Sequence, residues 1–216
     1  MIRGVIFDLD GVLVSTDELH FHAWKRLAEE LGIEKFTKED NQKQKGVSRM
    51  VSLEVVLSKG KKIYTSEEKE ELADRKNSYY QELLKELNKN AILPGVVECL
   101  KMLKDKGMRI GVGSVSKNAP IILEQTGLMQ YIDEVSCGLD ITKSKPDPEV
   151  FEVAADKLGL KYEECLVVED SLVGIVAGKA AHMRTLGVGS EYSLLRADYE
   201  APGLEADIDW GILLEE

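Results

Sequence analysis

Apolar residues follow two kinds of pattern along this chain. Short continuous runs of strand length occur at residues 4–8 (GVIFD), 109–113 (RIGVG), 131–135 (YIDEV), 165–169 (CLVVE) and 184–188 (RTLGV). Between most of them lie stretches with helical spacing, at 96–106, 120–125, 149–158 and 172–181. In 149–158 the residues Phe151, Ala154, Ala155 and Leu158 recur at intervals of three and four, the spacing of one helix face. Asn118 precedes 120–125 as a candidate N-cap with Pro120 in the first turn, and Ser171 precedes 172–181. Strands alternating with helices predict βαβ units and a parallel sheet. Strand runs without polar interruption fit a sheet covered on both faces. The expected fold class is therefore α/β, a Rossmann-like doubly wound parallel sheet.

Residues 17–89 break that rhythm and contain no good strand. Residues 17–31 carry Ala23, Trp24, Leu27, Ala28 and Leu31 on one helical face, with Trp24 expected in a local core. A second helix is predicted over 48–57 and a third over 67–87, opened by a capping box from Thr65 to Glu68. The Leu-Pro-Gly at 93–95 marks the return to the α/β pattern. The expected organisation is a core of residues 1–15 and 90–216 with a helical domain, 16–89, inserted after the first strand.

Composition narrows the function classes. The chain has 216 residues, 44% hydrophobic and 31% charged, with a net charge of −11. That acidity argues against a nucleic-acid partner, which needs clustered Lys and Arg. The basic stretches at 43–49 and 59–62 read as solvated loops. Cys99, Cys137 and Cys165 form no CxxC pair, which suits a reducing compartment. The N-terminus lacks a signal-peptide layout, and no apolar stretch approaches bilayer length. A soluble, cytoplasmic, monomeric protein with no membrane partner is expected.

The candidate chemistry lies at strand ends. Asp8 and Asp10 follow the first strand, Ser114 and Ser116 the second, Glu169 and Asp170 the fourth, and Lys145 precedes the helix at 149–158. In an open parallel sheet, sites form at the C-terminal ends of strands. Carboxylates from several strands suit a hard divalent cation such as Mg²⁺, which also takes phosphate oxygens. With Lys145 as a fixed positive charge, such a site can stabilise a transferring phosphoryl group. One Asp could then act as nucleophile and its neighbour as general acid and base. Each feature alone has a plainer reading: a turn for Asp-Leu-Asp-Gly, a helix cap for Glu169–Asp170, a surface Lys at 145. Gly-Val-Gly-Ser-Val-Ser (111–116) lacks the third glycine of a dinucleotide-binding fingerprint.

Taken together, DLDGV (8–12), Ser114, Lys145 and VVEDS (167–171) resemble, in order, the four motifs of the haloacid dehalogenase superfamily, and the helical insert resembles its cap domain. Within it the β-phosphoglucomutase family is most similar, through Thr16, residues 18–33, KGVSR (45–49), RKNSYY (75–80), SVSKN (114–118) and KPDPEVF (145–151). The resemblance implies Asp8 as nucleophile and Asp10 as acid and base, with the Asp10 backbone carbonyl also on Mg²⁺. It implies Asp8, Glu169 and Asp170 as carboxylate ligands of the metal, and Ser114 and Lys145 on the transferring phosphoryl. Arg49, Ser116, Lys117 and Asn118 would cradle a second phosphate. Thr16 and His20 would couple cap closure to Asp10, and Lys45, Gly46 and Lys76 would line the cap over a small sugar phosphate. On their own, Arg49 reads as a surface residue and His20 as a satisfied core histidine.

Three places depart from the family pattern: Ser15 where Asp is common, the loop 138–144 before Lys145, and His182 at a position usually held by Gly. The implied activity is a phosphomutase interconverting β-glucose 1-phosphate and glucose 6-phosphate through an aspartyl-phosphate and a bisphosphate. A sugar-phosphate phosphatase on the same scaffold is the alternative. A phospho-receiver domain shares the acidic pocket, hydroxyl and Lys, but the Asp-x-Asp spacing and the long insert argue against it.

Overall fold

The computed structural model describes residues 1–44 and 47–215. The apolar runs form strands β1 (Gly4–Phe7), β2 (Arg109–Gly113), β3 (Glu134–Ser136), β4 (Cys165–Glu169) and β5 (Arg184–Gly187), joined at the edge by a two-residue β6 (Tyr199–Glu200). They pair in the order β3-β2-β1-β4-β5-β6, every pair parallel. Side chains alternate across a sheet, and both faces are apolar here. Val5, Phe7, Ile110, Val112, Leu166 and Val168 share a buried cluster with residues of α5 (Val96–Asp105) and α6 (Ala119–Thr126). Ile6, Cys165 and Val167 pack with α7 (Glu149–Leu158) and α8 (Leu172–Ala180) on the other face. The fold is a Rossmann-like, doubly wound α/β core.

The helical insert leaves after β1. It contains α1 (Asp17–Glu30), α2 (Lys38–Gln42), α3 (Arg49–Leu57) and α4 (Ser66–Leu84). Trp24, Leu27, Leu53, Val56 and Leu72 form its own buried cluster. Tyr80 and Leu84, near the end of α4, instead join the cluster beneath the sheet. The predicted Thr65–Glu68 capping box opens α4. The chain crosses between the two parts at Val14 and Ile92, which form an antiparallel bridge, and Ser15 N–H donates to Ala91 O at 2.9 Å.

One sequence expectation changes. The run at 131–135 does not begin a strand: residues 128–131 form a helical turn, and pairing starts at Glu134. Asp133 explains the shift, because its Oδ2 accepts from Ile110 N–H at 2.7 Å while its own N–H donates to Ile110 O at 2.8 Å. Tyr131 and Ile132 contribute core contacts rather than strand pairing. The segment after Gly189 holds β6 and α9 (Trp210–Glu215), and α9 closes the core with Leu213, Leu214 and a bond from Ile2 N–H to Leu214 O. His182 follows α8 with φ +58°, the left-handed region where glycine is favoured. Among the described residues no helix is long and apolar enough to cross a membrane.

Candidate active site

The strand order reverses between β1 and β4, so their C-terminal ends frame the crevice of the sheet. Asp8 follows β1, Glu169 ends β4 and Asp170 comes next. Oxygens of these three carboxylates lie within 4.8 Å of one another. Lys145, with no exposed side-chain area, donates from Nζ to Asp8 Oδ1 at 2.5 Å and to Glu169 Oε1 at 2.6 Å. Burial favours neutral Lys145, but the two carboxylates outweigh it and hold the ammonium charged. Burial likewise pushes the Asp8 carboxyl well above its usual range; Lys145 opposes this, while the charges of Glu169 and Asp170 add to it.

Local sequence explains the precision of this cluster. Glu169 Oε2 accepts from Ser171 N–H at 2.7 Å and Ser171 Oγ at 2.8 Å, and Ser171 caps α8 through Gly174 N–H. Gly174 is required by proximity: a Cβ there would stand 1.9 Å from Glu169 Oε1. Gly11, at φ +88°, lets the turn after β1 pass Asp170, whose Oδ2 would lie 2.0 Å from a Cβ. The unusual loop 138–144 still aims Lys145, because Glu149 at the start of α7 accepts from the backbone N–H groups of Thr142 and Lys143. Ser114 is buried at the end of β2, and its Oγ accepts from Ser116 N–H at 3.2 Å.

Asp10 does not join the carboxylate cluster. Its carboxylate accepts from Thr16 Oγ1, and Thr16 in turn accepts from Tyr80 Oη at 3.0 Å. Burial raises the Asp10 carboxyl to about 6, with the Thr16 bond opposing the rise. His20 stacks on Tyr80 at 4.0 Å between ring centroids, and its Nδ1 lies 2.8 Å from Lys76 Nζ. Burial, then the nearby Lys76 and Arg49 charges, push His20 well below its ordinary value, so the ring is neutral at pH 7. Burial and Arg49 lower Lys76, whose Nζ also faces the Trp24 and Tyr80 rings at 4.5 and 4.7 Å. Tyr80 lies within RKNSYY (75–80), but nothing in its local pattern announces a bond to Thr16.

A cavity of about 640 Å³ opens between insert and core. Asp8, Asp10, His20, Lys76, Ser114, Ser116, Lys117, Asn118 and Arg49 all line it. Arg49 Nη2 and Asn118 Nδ2 both donate to Asn77 Oδ1, each at 2.9 Å. Gln81 Nε2 donates to Asn118 Oδ1 at 3.1 Å. Asn118 begins α6, but its side chain makes no capping bond, contrary to the cap reading of the sequence; the amide is turned into the cavity instead. The sequence pattern gives Asn77 and Gln81 no sign of a place in the site, although Asn77 lies within RKNSYY. Lys45 and Gly46 lie outside the described residues.

A profile described as haloacid dehalogenase-like hydrolase matches residues 5–188. The chain belongs to the haloacid dehalogenase-like hydrolase family. Among its relatives, β-phosphoglucomutase of Bacillus subtilis (strain 168) is 41% identical over 199 residues, covering 91% of this chain and 88% of the relative. A phosphorylated carbohydrates phosphatase of Thermotoga maritima is 31% identical over 184 residues, covering 83% and 82%. The crystal structure of β-phosphoglucomutase from Clostridium difficile superposes with a TM-score of 0.91 at 36% identity, over 99% of this chain and 96% of that one. This member of the haloacid dehalogenase-like hydrolases thus has relatives named both as a mutase and as a phosphatase.

Proposed function

We propose that the protein is a Mg²⁺-dependent phosphomutase that interconverts β-glucose 1-phosphate and glucose 6-phosphate. Residues 16–89 act as a cap over a core of 1–15 and 90–216. The observation that carries this reading is the second polar cluster in the cavity. Arg49 and Asn118, one from each side of the seam, converge on a single acceptor, apart from the Asp8–Lys145 pair. A mutase must hold a bisphosphate by both ends; a phosphatase acting on monophosphates has no such need. The relatives named as β-phosphoglucomutase support it.

The donor set fits Mg²⁺. Three carboxylates offer hard oxygens with no His or Cys among them, and the elevated Asp8 carboxyl marks negative charge that a cation would offset. Asp8, Glu169 and Asp170 would hold the ion through side chains and Asp10 through its carbonyl. When bound, Mg²⁺ offsets the charge of the phosphoryl oxygens.

In the proposed cycle phospho-Asp8 gives its phosphoryl to the C6 hydroxyl of β-glucose 1-phosphate, and Asp10 takes the hydroxyl proton. The resulting bisphosphate turns over in the cavity. Asp8 then attacks the C1 phosphorus, the C1–O–P bond breaks on the phosphorus side, and Asp10 returns its proton to the sugar oxygen. A carboxyl near 6 can serve in both directions at neutral pH. Lys145 and Ser114 steady the moving phosphoryl; Arg49, Ser116, Lys117 and Asn118 hold the other phosphate. The test compares glucose 6-phosphate formation with free phosphate release from β-glucose 1-phosphate, with the bisphosphate as primer and Mg²⁺ either present or removed by EDTA. Primer-dependent glucose 6-phosphate that vanishes with EDTA is expected. Dominant phosphate release without a primer effect overturns the mutase in favour of a phosphatase.

A further inference from the structure

Asn77 occupies the interior of α4, where asparagine is a poor helix former, and its half-buried side chain lines the cavity at the seam. Arginine only donates hydrogen bonds, so the Asn77 atom facing Arg49 is its carbonyl oxygen. The same oxygen accepts from Asn118 Nδ2, which leaves the Asn118 carbonyl oxygen to accept from Gln81 Nε2. The orientation of these three amides, Asn77, Asn118 and Gln81, follows from the guanidinium. Two donors from opposite sides of the cavity are thereby aimed at one point by a neutral acceptor. Asp74 adds only a 3.5 Å contact to Arg49 Nη1, with a carboxylate that is largely exposed.

We propose that Asn77 is a positioning residue whose amide oxygen holds the place of a phosphate oxygen between Arg49 and Asn118 and gives way to it when the bisphosphate binds. An oxyanion is the stronger acceptor for such a fork, so exchange favours the ligand. The neutral amide keeps the donors aligned beforehand without competing as a charge would. The proposal rests on the reading of Arg49 and Asn118 as ligands of the second phosphate.

Two variants separate this role from simple cap damage. Asn77→Leu removes the acceptor and leaves the donors unaligned. Asn77→Asp preserves shape but supplies a carboxylate that competes with phosphate for Arg49. KM for the bisphosphate primer should rise about tenfold in Asn77→Leu, the scale of ordering two rotamer-rich side chains on binding, and further in Asn77→Asp. Phosphorylation of Asp8 by acetyl phosphate, which lacks a second phosphate, should stay within about twofold of wild type. Asn77→Asp milder than Asn77→Leu, equal losses with both donors, or no change in KM overturns the proposal. Arg49→Ala is measured alongside. If it raises the primer KM while the Asn77 variants do not, only the proposal falls; if it has no effect, the second phosphate site falls with it.

Discussion

Asp8 and Asp10 are two residues apart, yet their environments differ. Asp8 shares Lys145 with Glu169, whereas Asp10 is turned to Thr16 and sits near 6. Asp8→Asn is expected to abolish trapping of labelled phosphate on the protein. Asp10→Asn should still accept label from acetyl phosphate but lose turnover by about 10²–10⁴, the range of general acid–base catalysis. Label trapped on Asp8→Asn would overturn the assignment of the nucleophile. His182 gives a stability prediction instead. A left-handed non-glycine residue costs about 1–2 kcal/mol, and glycine's added unfolded-state freedom takes back about 0.5–1. The exposed side chain at φ +58° should therefore yield a net gain of about 0.5–1 kcal/mol in His182→Gly, read as a higher urea midpoint at unchanged slope; a lower midpoint would contradict the strain.

The long elements were legible because one property decided each of them. Strand β4 and helix α7 fall where the apolar runs and the three-and-four spacing put them. The elements missed are short: α2 has five residues and β6 two, too few for periodicity to speak. Helix α2 nevertheless carried a local signal, because Thr37 and Asp40 form a capping box. Asp40 Oδ2 accepts from Thr37 N–H at 3.1 Å, and Oδ1 lies 2.7 Å from Lys59 Nζ. The Lys59 bond leads in holding the Asp40 carboxyl at about 2, burial opposing and the Thr37 bonds assisting. Because its folded value is depressed, its charge contributes stability above the unfolded value near 3.9 and loses it as pH falls toward 2. Asp40→Asn should cost about 1 kcal/mol at pH 7, the scale of a cap. The gap to wild type should narrow between pH 4 and pH 2 in urea titrations. A gap that is unchanged at low pH would mean the charge is not what α2 uses.

At the scale of the molecule, strand order brought Asp8, Ser114 and Glu169 to one crevice, and the loop before α7 added Lys145. The contacts across the seam were not legible in the pattern itself, because no periodicity encodes which insert residue meets which core residue; only the resemblance grouped Arg49 of the insert with Asn118 of the core. Tyr80 is the clearest case. It belongs to α4 of the insert, is fully buried against the core, and donates to Thr16 at the crossing, which itself donates to Asp10 in the core. Two hydroxyls thus link α4 to Asp10, the proposed acid–base group. If closure both excludes water and releases Asp10 for the sugar, a phospho-Asp8 is protected from hydrolysis only while the two events stay linked. Tyr80→Phe removes one hydroxyl, keeps the ring that packs on His20, and leaves Thr16 free to turn. Glucose 6-phosphate formation should fall severalfold, on the scale of one hydrogen bond. Phosphate released per glucose 6-phosphate formed should rise, because Asp10 no longer waits for the cap. Measuring both products from one reaction separates the two effects: a fall in both rates at a constant ratio would show Tyr80 as packing only, whereas a changed ratio ties the placement of Asp10 to the cap.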